Sequence, residues 1–132
     1  MRVNHIAVNC IDLELVKQFF VKYFNAQVGA EYCNPKTGLH TWMLLFPAGS
    51  AKLELMSWPD TTFLEYNIEY MKHRQGMTHI SMSVGSPDAV NILTQRLESN
   101  GYQRLSGPRI TGNGYYESCI LGPENLEIEI TI

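Results

Sequence analysis

The 132-residue sequence predicts an α+β fold of two tandem βαβββ modules, whose strands form a curved mixed sheet with the helices on its outer face. Three observations carry that expectation. Polar and apolar residues alternate over 3–10 and again over 77–84. Each alternation is followed by the three- and four-residue apolar spacing of an amphipathic helix. Each helix is followed by three strand-like stretches parted by turn residues. At this length one domain is expected, 1–132, with residues 1–58 as the first module, 59–75 as a connector and 76–132 as the second module.

Taken in order, residues 3–10 read as a half-buried strand. Ile6, Val8 and Cys10 lie on one side of the two-residue period, and His5, Ala7 and Asn9 on the other. Asp12 stands where an N-cap belongs, ahead of a stripe of Leu13, Leu15, Val16, Phe19, Phe20 and Tyr23. Asn34-Pro35-Lys36-Thr37-Gly38 is a turn signal between apolar segments at 28–33 and 39–46, and Pro47-Ala48-Gly49-Ser50 is another before 52–56. A polar and aromatic connector follows Trp58-Pro59, with a short helix expected over 63–71. The pattern then restarts. Ile80, Met82 and Val84 face one way and His79, Ser81 and Ser83 the other. Ser86-Pro87-Asp88 opens a helix with the stripe Val90, Leu93 and Leu97, and Asn100-Gly101 closes it. Strands are expected at 102–105, 115–121 and 126–132, separated by Ser106-Gly107-Pro108, Thr111-Gly112-Asn113-Gly114 and Gly122-Pro123-Glu124-Asn125.

Composition excludes several classes of function. A net charge of −3 without runs of like charge argues against nucleic acid, because neutralising phosphates takes clustered Lys and Arg. The longest apolar runs, such as residues 43–46, fall far short of the roughly 20 residues that span a bilayer, so no membrane partner is expected. The first residues carry no apolar signal-peptide stretch, and Cys10, Cys33 and Cys119 are odd in number with no Cys-x-x-Cys. A cytoplasmic protein with reduced thiols, and without an all-thiolate zinc site, is the expectation.

The two halves can be superposed by counting. His5 and Glu54 are 49 residues apart, and His79 and Glu129 are 50 apart; the two histidines are separated by 74 residues and the two glutamates by 75. Each of these residues lies on the polar face of its strand, with Leu53 and Leu55, or Ile128 and Ile130, on the other. Two imidazoles and two carboxylates suit zinc, nickel, cobalt, manganese or ferrous iron, with coordination positions left for water and substrate. Glu127 shares the face of Glu129 and is the alternative ligand, but the repeat count favours Glu129. Cys10 is read as core, His40 and His73 as rim or surface residues, and Trp42, Trp58, Tyr115 and Tyr116 as packing residues or walls of a substrate cup.

Asn4-His5-Ile6-Ala7-Val8, Lys52-Leu53-Glu54-Leu55, Gly76-Met77-Thr78-His79-Ile80-Ser81, Gly114-Tyr115-Tyr116-Glu117-Ser118 and 122–130 occur in this order across the chain. In them the sequence resembles the vicinal oxygen chelate superfamily, which includes glyoxalase I, fosfomycin and bleomycin resistance proteins, methylmalonyl-CoA epimerase and extradiol dioxygenases. The resemblance implies that His5, Glu54, His79 and Glu129 bind one divalent metal ion, that Glu129 and Glu54 are the candidate general bases, and that the chain is a homodimer acting on a small molecule. It implies a metal-dependent lyase or isomerase of glyoxalase type that chelates vicinal substrate oxygens. Relatives of bacterial glyoxalase I hold glutathione with an Arg four residues after the first His and an Asn four after the first Glu; here those positions are Asn9 and Trp58. That departure argues against a glutathione substrate. Two other readings stand beside it: a binding protein that sequesters a drug or metabolite without turnover, and a ferrous extradiol-type dioxygenase using His5, His79 and Glu129, against which the fourth ligand Glu54 counts.

Overall fold

The computed structural model describes residues 1–46, 51–66 and 75–132. Among them are β1 (His5–Asn9), α1 (Leu13–Phe24), β2 (Gln27–Cys33), β3 (His40–Leu45), β4 (Lys52–Ser57), β5 (Ile80–Ser83), α2 (Pro87–Ser99), β6 (Gln103–Ile110), β7 (Tyr116–Leu121) and β8 (Glu127–Thr131). The strands form two four-stranded mixed sheets of one topology, β1-β4-β3-β2 and β5-β8-β7-β6. The helix after β1 or β5 rules out a hairpin partner for that strand, which instead pairs in parallel with the last strand of its own half. The remaining pairs are antiparallel. The architecture is the α+β arrangement of two βαβββ halves, and the chain divides into two compact units, Met1–Leu64 and Glu65–Ile132.

In the first unit, Asp12 caps α1 by accepting a hydrogen bond from the Leu15 amide at 2.9 Å. The helix ends at Asn25, in the left-handed region at φ 53°. Leu13, Val16, Phe19, Phe20 and Tyr23 are buried on the side of the sheet that carries Leu44, Leu53 and Leu55. Leu15 is about half exposed and stands outside the stripe. In the second unit Ser86 caps α2, Pro87 is its first residue, and Val90, Leu93 and Leu97 are buried over β7 and β6. Ile120, Ile128 and Ile130 are fully buried. Each such aliphatic side chain contributes roughly 1.5–3 kcal/mol on leaving water. The helices thus take up the apolar side of each sheet, leaving the polar side free for chemistry.

Two expectations need correction. Ser106-Gly107-Pro108 does not separate two elements but lies inside β6, where the register against β7 shifts on either side of Ser106. Gly and Pro serve a bulged edge strand as well as a turn, and β6 is the edge of its sheet. The helix expected over 63–71 is absent from residues 63–66, and its remainder lies outside the described residues, as do the turn at 47–50 and His73. Among the described residues no helix is long and apolar enough to cross a membrane.

Candidate metal centre

Parallel pairing sets Glu54 of β4 opposite Ala7 of β1, on the face that His5 also occupies, two residues away. The His5 Nε2 lies 3.5 Å from Glu54 Oε2. Its other ring nitrogen, Nδ1, is 2.9 Å from Asn4 Oδ1. The second unit repeats the arrangement. Glu129 of β8 is opposite Ser81 of β5, His79 immediately precedes β5, and His79 Nε2 lies 3.5 Å from Glu129 Oε2. Its Nδ1 is 3.0 Å from Thr78 Oγ1. Side-chain exposures match too, at 44 % and 22 % for His5 and Glu54 and 40 % and 20 % for His79 and Glu129.

At 3.5 Å each pair stands slightly wider than two ligands of one ion and wider still than a direct hydrogen bond. Two ligands at about 2.1 Å from one ion, at octahedral or tetrahedral angles, stand about 3.0–3.4 Å apart. A direct hydrogen bond would instead bring N and O to about 2.9 Å. With Nδ1 bonded to the side chain of the preceding residue, each ring is turned so that Nε2 faces its carboxylate, the orientation an outer partner gives a metal-binding histidine.

Glu129 has a denser setting than Glu54. Ser81 donates a hydrogen bond to Glu129 Oε1 at 2.6 Å, leaving Oε2 towards His79. Glu117 of β7 is hydrogen-bonded to Glu129; burial holds its carboxyl above the usual carboxylate range, and the charge and hydrogen bond of Glu129 push it the same way. Arg109, 3.6 Å from Glu117, acts in the opposite direction. Glu127 is engaged elsewhere, accepting a hydrogen bond from the Tyr66 hydroxyl at 3.0 Å. Burial and that carboxylate push the Tyr66 hydroxyl up to about 12. Cys119, opposite Glu129, is likewise pushed up to about 12, by burial first and then by Glu127, Glu129 and Glu117.

The structure therefore pairs His5 with Glu54 in one unit and His79 with Glu129 in the other. Trp42 and Tyr116 are not on these polar faces. Trp42 lies under Lys17 of α1, whose Nζ is 4.2 Å from the ring centroid, and Tyr116 donates a hydrogen bond to Asn91 of α2. Cys10 is buried, and His40 hydrogen-bonds Glu31. Sequence reasoning gave no role to Glu117 or Ser81. The two-residue period that sets Tyr116, Ser118 and Ile120 towards the helix was the available signal for Glu117, because it puts Glu117 and Cys119 on the opposite side.

A family model described as the Glyoxalase/Bleomycin resistance protein/Dioxygenase superfamily matches residues 2–130. No curated protein matches the chain at a significant level. Among solved structures, a glyoxylase/bleomycin resistance protein/dioxygenase domain from Frankia sp. EAN1pec is similar with a TM-score of 0.80 and 16 % identity, over 100 % of this chain and 97 % of that one. The trypanothione-dependent glyoxalase I of Leishmania major is similar with a TM-score of 0.77 and 17 % identity, over 99 % and 86 %. A mutant of the fosfomycin resistance protein FosX from Listeria monocytogenes, complexed with Mn(II) and 1S,2S-dihydroxypropylphosphonic acid, is similar with a TM-score of 0.70 and 17 % identity, over 98 % and 90 %. At these identities the likeness is one of fold.

Proposed function

Because the chain belongs to the Glyoxalase/Bleomycin resistance protein/Dioxygenase superfamily, we propose that it is a metal-dependent lyase or isomerase of glyoxalase type, in which His5, Glu54, His79 and Glu129 together hold one divalent ion. The observation that carries the reading is the duplicated pair. Twice the chain sets a histidine Nε2 3.5 Å from a glutamate oxygen with the other ring nitrogen bonded to the preceding side chain. Zinc, nickel, cobalt, manganese and ferrous iron all suit this nitrogen and oxygen donor set.

Held by His5, Glu54, His79 and Glu129, a divalent ion would supply Lewis-acid chemistry that makes a carbon–hydrogen bond next to the substrate oxygens more acidic. The protein's own groups then move the proton. Glu129 is the general base, oriented by Ser81, and Glu117 is the neighbouring carboxyl that exchanges a proton with it. Glu54 is the corresponding base of the first unit. Asn9 and Trp58 stand where glutathione-using relatives have an Arg and an Asn, so a glutathione carboxylate would lose its cationic partner and a small oxygenated substrate other than a glutathione conjugate is favoured. The protein works as a cytoplasmic homodimer. The ferrous dioxygenase reading is weaker, since Glu54 faces His5 at the same distance as Glu129 faces His79 and would fill a position that oxygen needs.

Manganese binding tests the joint centre. Titrated with Mn(II) and followed by the electron paramagnetic resonance of the free ion, the protein takes up one ion per chain. His5→Ala and His79→Ala each abolish that uptake. Two ions per chain in the unaltered protein, with one surviving in each variant, would mean two separate sites and would end this reading. With the metal bound, Glu129→Gln slows proton exchange at a carbon next to the chelated oxygens by about 100- to 10,000-fold.

A further inference from the structure

On the helix-bearing side of the first sheet lies a second set of donors of different chemistry. Glu31 and Cys33 of β2 and His40 of β3 each offer a ligand atom, all within 4.8 Å of one another. Register explains the convergence. Cys33 is directly opposite His40, and Glu31 is opposite Trp42, whose ring lies under Lys17 of α1. Val28 is opposite Leu44, so between Val28 and Glu31 the chain spends one residue more than its partner strand. That bulge at Gly29-Ala30 moves Glu31 and Cys33 onto the side of His40 and puts Tyr32 on the opposite side. Gly29 suits the tight spot, as a Cβ there would press on the Leu45 side chain at 2.8 Å and the Met43 carbonyl at 2.9 Å.

The frame around the cluster is ordered by its own hydrogen bonds. Between the two strands the Asn34 amide donates to the Leu39 carbonyl and the Gly38 amide to the Asn34 carbonyl, both at 2.8 Å. Asn34 Oδ1 accepts from the amides of Lys36 and Thr37. Cys33 and His40 are thus the last and first residues of strands clamped by a closed turn. Beyond His40 opens a cleft of about 600 Å³ that Asp12, Glu14 and Trp58 also line. His40 Nε2 is 2.7 Å from Glu31 Oε1, a solvent-exposed contact of the kind that contributes little and gives way readily to shared ligation.

We propose that Glu31, Cys33 and His40 form a second metal site, selective for zinc and similar borderline cations, with three protein ligands and a fourth position open to the cleft. Thiolate, imidazole and carboxylate are a zinc donor set, and three protein ligands with one open position are the pattern of sites that take an exchangeable ligand. In a tetrahedral zinc site the donors stand about 3.3–3.8 Å apart, so ring and thiol rotations of about 1 Å close the cluster. This site stands apart from the His5, Glu54, His79 and Glu129 reading and does not rest on it.

Sulfur separates the two. Added Co(II) forms a near-ultraviolet thiolate-to-metal charge-transfer band only where a cysteine is a ligand. The expected result for the full chain is such a band, saturating at one ion per chain and displaced by Zn(II). It persists in a His5→Ala, His79→Ala double variant and in Cys119→Ser, and is lost in Cys33→Ser. His40→Gln and Glu31→Gln, both surface changes that keep the thiol, weaken the affinity by more than about 100-fold, beyond what loss of an outer partner causes. No band in the unaltered protein, a band surviving in Cys33→Ser or vanishing in Cys119→Ser, or an affinity unchanged in His40→Gln and Glu31→Gln would each overturn the proposal.

Discussion

Asn4 and Thr78 hold positions whose importance is easy to underrate, because neither is among the residues proposed to hold the ion. Each bonds the Nδ1 of the histidine that follows it and so decides which way Nε2 points. Asn4→Ala and Thr78→Ala are expected to weaken Mn(II) binding by about 10- to 100-fold with little change in stability, read by the same titration as the ligand variants. The cysteines make a second prediction. Cys33 is exposed, Cys10 is 1 % exposed, and Cys119 is pushed up to about 12, which leaves about one part in ten thousand as thiolate at pH 8. In chelator-treated protein at that pH, iodoacetamide is expected to modify Cys33 first, and mass spectrometry should find Cys10 and Cys119 modified only after unfolding. Early modification of Cys119 would contradict the carboxylate-crowded setting described for it. At this scale the sequence displayed His5, Glu54, His79 and Glu129 because they repeat. Glu117 does not repeat: the register partner of Thr131 is Glu117, whereas that of Met56, the equivalent position in the first half, is Thr41. A residue present in one half only leaves no signal in a comparison of halves.

Between helix and sheet, one polar contact is placed where water cannot substitute for it. Thr94 of α2 and Ser118 of β7 are buried and hydrogen-bonded at 2.6 Å, and Thr94 also donates to the Val90 carbonyl. Removing one partner strands the other, at about 1–3 kcal/mol, whereas removing both is close to neutral. Thr94→Val is therefore expected to lower the urea midpoint by that equivalent, and adding Ser118→Ala to restore most of it; additive losses would mean that the two hydroxyls do not depend on each other. The helices were legible because caps and stripes are local: Asp12 and Ser86 sit where expected, and Val90, Leu93 and Leu97 are all buried. The edge strands were less so. At Gly107 the φ is 72° and an added Cβ would collide with the Glu117 carbonyl, so the glycine answers to the neighbouring strand, which its own neighbours in sequence do not reveal.

As a whole, the chain repeats one topology twice, and both halves spend their polar faces on the same pair of side chains. A ligand that binds only the folded state adds its binding free energy to stability, about 2.7 kcal/mol at 100 times its dissociation constant. For a chain of 132 residues this corresponds to a melting temperature raised by roughly 5–15 °C in Mn(II) over chelator. The shift is expected to vanish in His5→Ala and His79→Ala alike; a full shift remaining in either variant would show that the ion does not depend on that half. The βαβββ order of elements was legible from the count of strands and turns, whereas the strand order within each sheet was not. The phase of β2 was not, because a bulge is a property of two strands in register and one strand read alone keeps its alternation. That bulge works like an insertion in a reading frame. Removing Ala30 would leave the composition of the strand almost intact, yet every side chain after it would change sides: Tyr32 would turn to the helix, Glu31 and Cys33 would turn away from His40, and one residue of length would decide which surface of the sheet holds the Cys33 thiol.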